Sequence, residues 1–246
     1  MNESAMKFME ERRELEFIRL RLDHFFLIFV GLWGMVFFIG WIFNYFTNCF
    51  KDSIIKLCVS GGLQNIAATV LLFQLYRFQK WPSMNPLKMH PLDCLVIGVR
   101  GLVQLLPLSY VTGALWQKIV SSLKYVLNVD CVEQPLLALL RSKLTHGRQF
   151  YGIVFLIMVL APVTEEMFFR YFLYRSWKSY MPSRQAMLLT AFVFALLHFN
   201  LAAFLSLWVM GIFLTFLYER CGNLLPCIIV HGLFNYVSVL LVILFS

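Results

Sequence analysis

Charge is what this sequence has least of. Asp, Glu, Lys and Arg make up 14% of its 246 residues, against about 25% in a soluble globular domain. A separate water-soluble domain of any size is therefore excluded. Proline is thin as well, at 8 residues, and no Pro-rich linker, internal repeat or low-complexity tract divides the chain into modules. The six cysteines (Cys49, Cys58, Cys94, Cys131, Cys221, Cys227) include no C-x-x-C and keep no pairing rhythm. They read as small buried hydrophobes, which excludes a disulfide framework and a thiolate zinc cage. No cleavable signal peptide is expected, because residues 1–24 are heavily charged and the apolar run from Phe25 is long enough to stay as a span.

Apolar side chains fill the space that charge leaves: 60% of residues are hydrophobic and 17% aromatic. A bilayer span needs about 20 such residues. The expected fold class is therefore all-α, a polytopic transmembrane helical bundle of about seven spans, with six to eight as the range. Lipid admits only elements that satisfy their own backbone. The runs lie at about 25–44, 53–76, 94–115, 150–173, 185–199, 201–219 and 224–245. Residues 1–24 read as an amphipathic cytoplasmic segment on the membrane surface. Residues 25–246 read as one multi-pass membrane domain, with its chemistry at about 150–240. The run 53–76 is the weakest, since it holds Lys56, Gln64 and Asn65. Residues 116–149 are compatible with interfacial helices or a re-entrant element, and the sequence does not choose between them.

A net charge of +8 would suit a nucleic-acid partner, but the basic residues sit in short loops between apolar runs. There they set topology and touch anionic lipid, so membrane lipid is an expected partner and nucleic acid is not. Over seven spans, twelve of the eighteen loop Lys and Arg fall on the N-terminal side. The positive-inside rule then places the N-terminus and Arg175–Arg184 in the cytoplasm. The expected location is a bacterial cytoplasmic membrane or the endoplasmic reticulum membrane.

Ionisable groups inside apolar spans are costly and mark candidate sites. The stretch APVTEEMFFRYFLY carries Glu165, Glu166 and Arg170; AFVFALLHFN carries Phe194 and His198; NLLPCIIVHGLFNY carries His231 and Asn235. Neighbours on a helix diverge by about 100°, so the two glutamates point apart. Glu166 and Arg170 stand at i,i+4 with the acid first, the favoured order for an ion pair. Glu165 is left as the working carboxylate. Pro162 removes a helix hydrogen bond just upstream. Helical rise puts Glu165, His198 and His231 at overlapping depths, where unpartnered polar groups would be expensive, so convergence is expected.

These elements resemble the CPBP family, the CAAX proteases and bacteriocin-processing (Abi) enzymes of the membrane. The carriers are EExxxR at Glu165-Glu166-Arg170, FxxxH at Phe194-His198, GxxxxxxYxxxGNLxxxIxxH from Gly211 to His231, and HxxxN at His231-Asn235. No one motif is decisive; the ordered set on successive apolar spans is. The resemblance covers about residues 150–240 and is silent elsewhere. It implies an α-helical intramembrane endopeptidase open toward the cytoplasm, acting on a membrane-associated peptide of prenylated, signal or bacteriocin type. Glu165 with His198 would activate water; His231 and Asn235 would steady the oxyanion or complete the site. A metal is an open point. There is no H-E-x-x-H, yet Glu165, His198 and His231 could hold Zn²⁺ with one position free.

Blander readings compete at several positions. A lone intramembrane histidine is more often structural than catalytic; it is the ordered set that reverses the odds. Asn235 is also a common helix glue. Asn200 reads as a turn residue, Gly211 as a packing residue, Gly222 as a turn, and His24, His90 and His146 as solvated. Arg100 and Gln104 share a face of their span and are weak candidates for a substrate path. Two rival functions are a non-catalytic scaffold or immunity protein that keeps the polar cluster, and a small transporter. The second should show inverted repeats with broken helices, and none is visible.

Overall fold

The structure, a computed structural model, describes residues 61–70, 72–73, 89–127 and 148–245, with 34, 38, 42 and 45 as isolated positions. The amphipathic segment 1–24, almost all of the run 25–44 and residues 128–147 lie outside the described residues. Every regular element among the described residues is helical. Helix α1 spans Pro91–Leu127. Helix α2 is a continuous series: Arg148–Phe155, a π-helical Leu156–Leu160, Ala161–Glu166, a second π-helical Met167–Tyr174, and Arg175–Lys178. Then come α3 at Ser183–Leu196, a 3₁₀ turn at Leu201–Ala203, α4 at Phe204–Cys221 and α5 at Leu225–Phe245.

Three stretches are long and apolar enough to cross a membrane: Pro91–Ser122, Tyr151–Lys178 and Leu201–Cys221. Ser183–Leu196 and Leu225–Leu241 are apolar but shorter. The expected runs 94–115, 150–173, 201–219 and 224–245 each lie within one helical stretch, and 185–199 begins in α3. Residues 61–70 and 72–73 of the run 53–76 are helical too. Of the stretch 116–149, residues 116–127 continue α1, because no breaker interrupts Ile119–Leu127.

Local chemistry sets the ends. Pro91 opens α1, where its missing N–H costs nothing, and Asp93 faces the positive end of the helix dipole. Gly222 closes α4 in the left-handed region at φ 61°, a conformation that suits glycine. The Asn223 side chain then accepts the Leu225 N–H at 2.9 Å. Helix α3 has 14 residues, which at about 1.5 Å each covers about 21 Å, short of a hydrocarbon core of about 30 Å. The chain therefore turns back within the depth of the bundle. The Asn200 side chain accepts the Ala203 N–H at 3.1 Å across that turn, as a turn residue should.

Small residues let the helices approach closely. A Cβ on Gly211 of α4 would lie 2.9 Å from Ala191 Cα of α3, and one on Gly98 of α1 would lie 2.5 Å from the Ile229 side chain of α5. Around these contacts Leu105, Tyr174, Met210, Leu214, Tyr218 and Val230 form one buried cluster. It locks α1, α2, α4 and α5 together and fixes their rotation about their own axes.

Candidate active site

Helix α2 presents the two glutamates to different surroundings. Glu166 is fully buried, while the Glu165 side chain keeps 30% exposure into a cavity. Arg170 Nη1 donates to Glu166 Oε1 at 2.8 Å, one turn away, and is itself fully buried. Its Nη2 donates to Gly211 O at 3.3 Å, and its guanidinium lies 4.9 Å over the Phe194 ring. A buried charge needs a partner and further hydrogen bonds; Arg170 has a carbonyl on α4 and a ring face on α3, while Glu166 Oε2 and Arg170 Nε have no hydrogen-bond partner among the described residues.

His198 stands two residues past α3, in the turn that follows it, and His231 in the first half of α5. His198 Nδ1 is 2.7 Å from Phe194 O; a carbonyl only accepts, so this nitrogen carries the proton. His231, with 2% exposure, places Nδ1 2.7 Å from Glu166 Oε1, and a carboxylate assigns its proton in the same way. Each ring therefore turns its other nitrogen, Nε2, toward one atom: Glu165 Oε2, at 3.9 Å from His198 and 3.7 Å from His231. That oxygen is buried and has no hydrogen-bond partner among the described residues. Phe194 packs against both rings, at 4.6 Å and 5.8 Å between centroids, which accounts for the F of FxxxH. Phe199, just after His198, adopts φ 48°, rare for a non-glycine residue and a mark of a constrained turn.

These groups line a cavity of about 860 Å³. Its wall runs from Ile157, Ala161 and Glu165 of α2 past His198 and Asn200 to Ser206 and Leu207 of α4; His231, Asn235 and Val239 of α5 close it on another side. The six expected residues divide accordingly. Glu165, His198, His231 and Asn235 reach the cavity, while Glu166 and Arg170 lie behind them as support. Asn235 Nδ2 donates to Ile157 O of α2 at 3.1 Å.

Sequence reasoning missed the wall from α1. Ser109, Tyr110, Gly113 and Gln117 face the cavity, and Ser109 shares a 2.5 Å hydroxyl contact with Ser206. The signal was available in the small residues Ser109 and Gly113, one turn apart, which mark a close helix contact. Arg100 and Gln104 lie one to three turns away, exposed on α1 and outside the wall. No three His, Cys, Asp or Glu side chains among the described residues are arranged to hold a metal ion. The trio expected for Zn²⁺ converges on one oxygen but does not make a cage as it stands.

Polarity divides the bundle end to end. On α5 the cavity residues run from His231 to Leu241 and on α1 from Ser109 to Gln117, and α4 adds Ser206 and Leu207 of its first turn beside Asn200, Ala202 and Ala203 of the turn before it. The cavity therefore extends toward the 197–204 turn. Arg175, Lys178, Arg184 and Arg220 gather at the opposite end, where Lys178 and Tyr174 both bond Glu219.

Residues 147–237 match a protease family. Its model is described as type II CAAX prenyl endopeptidase, Rce1-like. The match supports the CAAX-protease family to which the four motifs point, and it spans all of them. No curated protein and no solved structure matches the chain. Within the Rce1-like segment fall α2, α3, α4 and α5 as far as Val237, while the α1 wall lies outside it.

Proposed function

We propose that the protein is an intramembrane endopeptidase in which Glu165 activates water against a peptide bond of a membrane-associated, CAAX-type prenylated substrate. The observation that carries this reading is the convergence of two imidazole Nε2 atoms, their tautomers set by Phe194 O and Glu166, on one cavity-facing carboxylate. A water between Glu165 and the scissile carbonyl loses its proton to the carboxylate as its oxygen bonds to the carbonyl carbon. His198 Nε2 is positioned to relay that proton to the departing amine. His231, when protonated, holds one N–H on Glu166 and points the other into the cavity, where it stabilises the oxyanion. Glu166 then orients and charge-balances the ring as the acid of a catalytic triad does, with Arg170 balancing Glu166. A general base of this kind is worth about 10²–10⁴ in rate, and one oriented oxyanion donor about 10²–10³.

The test compares the peptides that accumulate in membranes of cells carrying the wild type and Glu165→Ala. A set of membrane peptides should lengthen when Glu165 is lost. Identical profiles would return the polar cluster to the scaffold alternative. Purified protein also decides the part played by zinc, by elemental analysis and assay with a strong chelator. The path above expects activity without bound metal. Stoichiometric zinc, with activity lost on its removal, would make Glu165, His198 and His231 ligands instead.

A further inference from the structure

Pro162 stands three residues before Glu165 in the same helix. Proline has no N–H to donate, and its ring crowds the carbonyl four residues back. The turn before it is π-helical, and the Ala161 N–H bonds Leu156 O, five residues back. In that register the next bond would run from residue 162 to Ile157 O, and residue 162 is the proline. The donor comes from another helix: Asn235 Nδ2 reaches Ile157 O at 3.1 Å.

The adjoining carbonyl shows the same dependence on α5. Met158 O is the oxygen that the Pro162 ring would crowd in an α-helix. Here it lies where a Cβ of Gly232 would be, 2.3 Å from that position. Gly232 and Asn235 are three residues apart on α5 and so share a face. His231, beside Gly232, bonds Glu166. One short stretch of α5 thus serves both the wide turn of α2 and the carboxylate that follows it.

We infer that Asn235 is a positioning residue: its amide replaces the backbone donor that Pro162 lacks, holds the wide turn, and so aims Glu165 between His198 and His231. One residue more or less per turn rotates everything beyond it by about 100°. If the π turn relaxed, the part of α2 carrying Ile157 and Ala161 would rotate against the part anchored by Glu166 and Arg170. The cavity wall on either side of Glu165 would then no longer match. Asn235 thus acts on the reaction through the backbone of α2. The consequence for rate rests on the proposed peptidase reading; the backbone claim does not.

The experiment uses the full chain in detergent and compares wild type, Asn235→Leu, Pro162→Ala and the double variant. Two quantities are read: turnover of a prenylated CAAX-type peptide, and amide hydrogen exchange across residues 157–166. Asn235→Leu should lower kcat about 10²-fold, the scale of a small misplacement of a reacting group, with KM nearly unchanged. Its exchange across 157–166 should accelerate. Alanine at 162 restores an N–H, so the double variant should regain protection and match Pro162→Ala in turnover. Should Asn235→Leu alone fail to accumulate, Pro162→Ala against the double variant decides the same point, since the second substitution should then cost nothing. Regained protection without regained turnover would overturn the inference, because the Asn235 amide would then act on substrate directly. Unaltered exchange in Asn235→Leu would also overturn it. A wild type without turnover would defeat the peptidase reading alone and leave the exchange comparison to judge the backbone claim.

Discussion

Glu165 and Glu166 are adjacent, yet one faces a cavity and the other is sealed behind it. The i,i+4 spacing of Glu166 and Arg170 was enough to foresee their pairing, and the 2.8 Å contact joins them. The bond from His231 to Glu166 was not legible, because it joins residues 65 apart and depends on how two helices are rotated. Removing one member of a buried pair strands the other, at about 3–5 kcal/mol. Glu166→Gln and Arg170→Leu should each reduce the folded fraction in mild detergent, and the double variant should recover part of the loss. Glu165→Gln should leave folding nearly intact, since its buried Oε2 has no hydrogen-bond partner among the described residues. Size-exclusion profiles after mild heating make the comparison. Equal loss from both glutamate changes would contradict the assignment.

At the scale of elements, helix α2 departs furthest from what the pattern suggests. Pro162 announces a local disturbance, but not that the turn before it widens to a π-helix. That outcome depends on which carbonyls find donors or room on α5, a non-local fact. The early end of α3 was hidden for a similar reason: His198 reads as part of an apolar run, while in space it begins the turn held by Asn200. Polar turns at this depth are tolerated where they line a cavity. The close approach of α5 to α2 can be tested directly. Gly232→Ala places a methyl 2.3 Å from Met158 O, whereas Gly62→Ala meets nothing within 4 Å. The first should lower the midpoint of thermal unfolding sharply and the second should not. A Gly232→Ala protein as stable as the wild type would mean that the two helices are not held this closely.

For the whole molecule, helices apolar enough to cross a membrane were legible from composition, because charge is scarce, and three such stretches stand among the described residues. Sidedness was not. Positive-inside counting sends the Arg175–Arg184 end to the cytoplasm, and the resemblance implies a site open to the cytoplasm. The cavity, however, extends toward the other end of the bundle. Charge asymmetry predicts that Ser183→Cys, in a cysteine-free background, stays unlabelled by an impermeant reagent outside intact cells, and that Lys118→Cys is labelled. The reverse pattern would invert the molecule and turn its cavity to the cytoplasm. The central claim, that this cavity cuts peptide bonds through Glu165, is tested most directly by turnover of a prenylated CAAX-type peptide with purified protein. The wild type should cleave it, while Glu165→Ala, His198→Ala and His231→Ala, each folded and monodisperse, should show no detectable product. Product formed at wild-type rate by the folded Glu165→Ala protein would contradict the account.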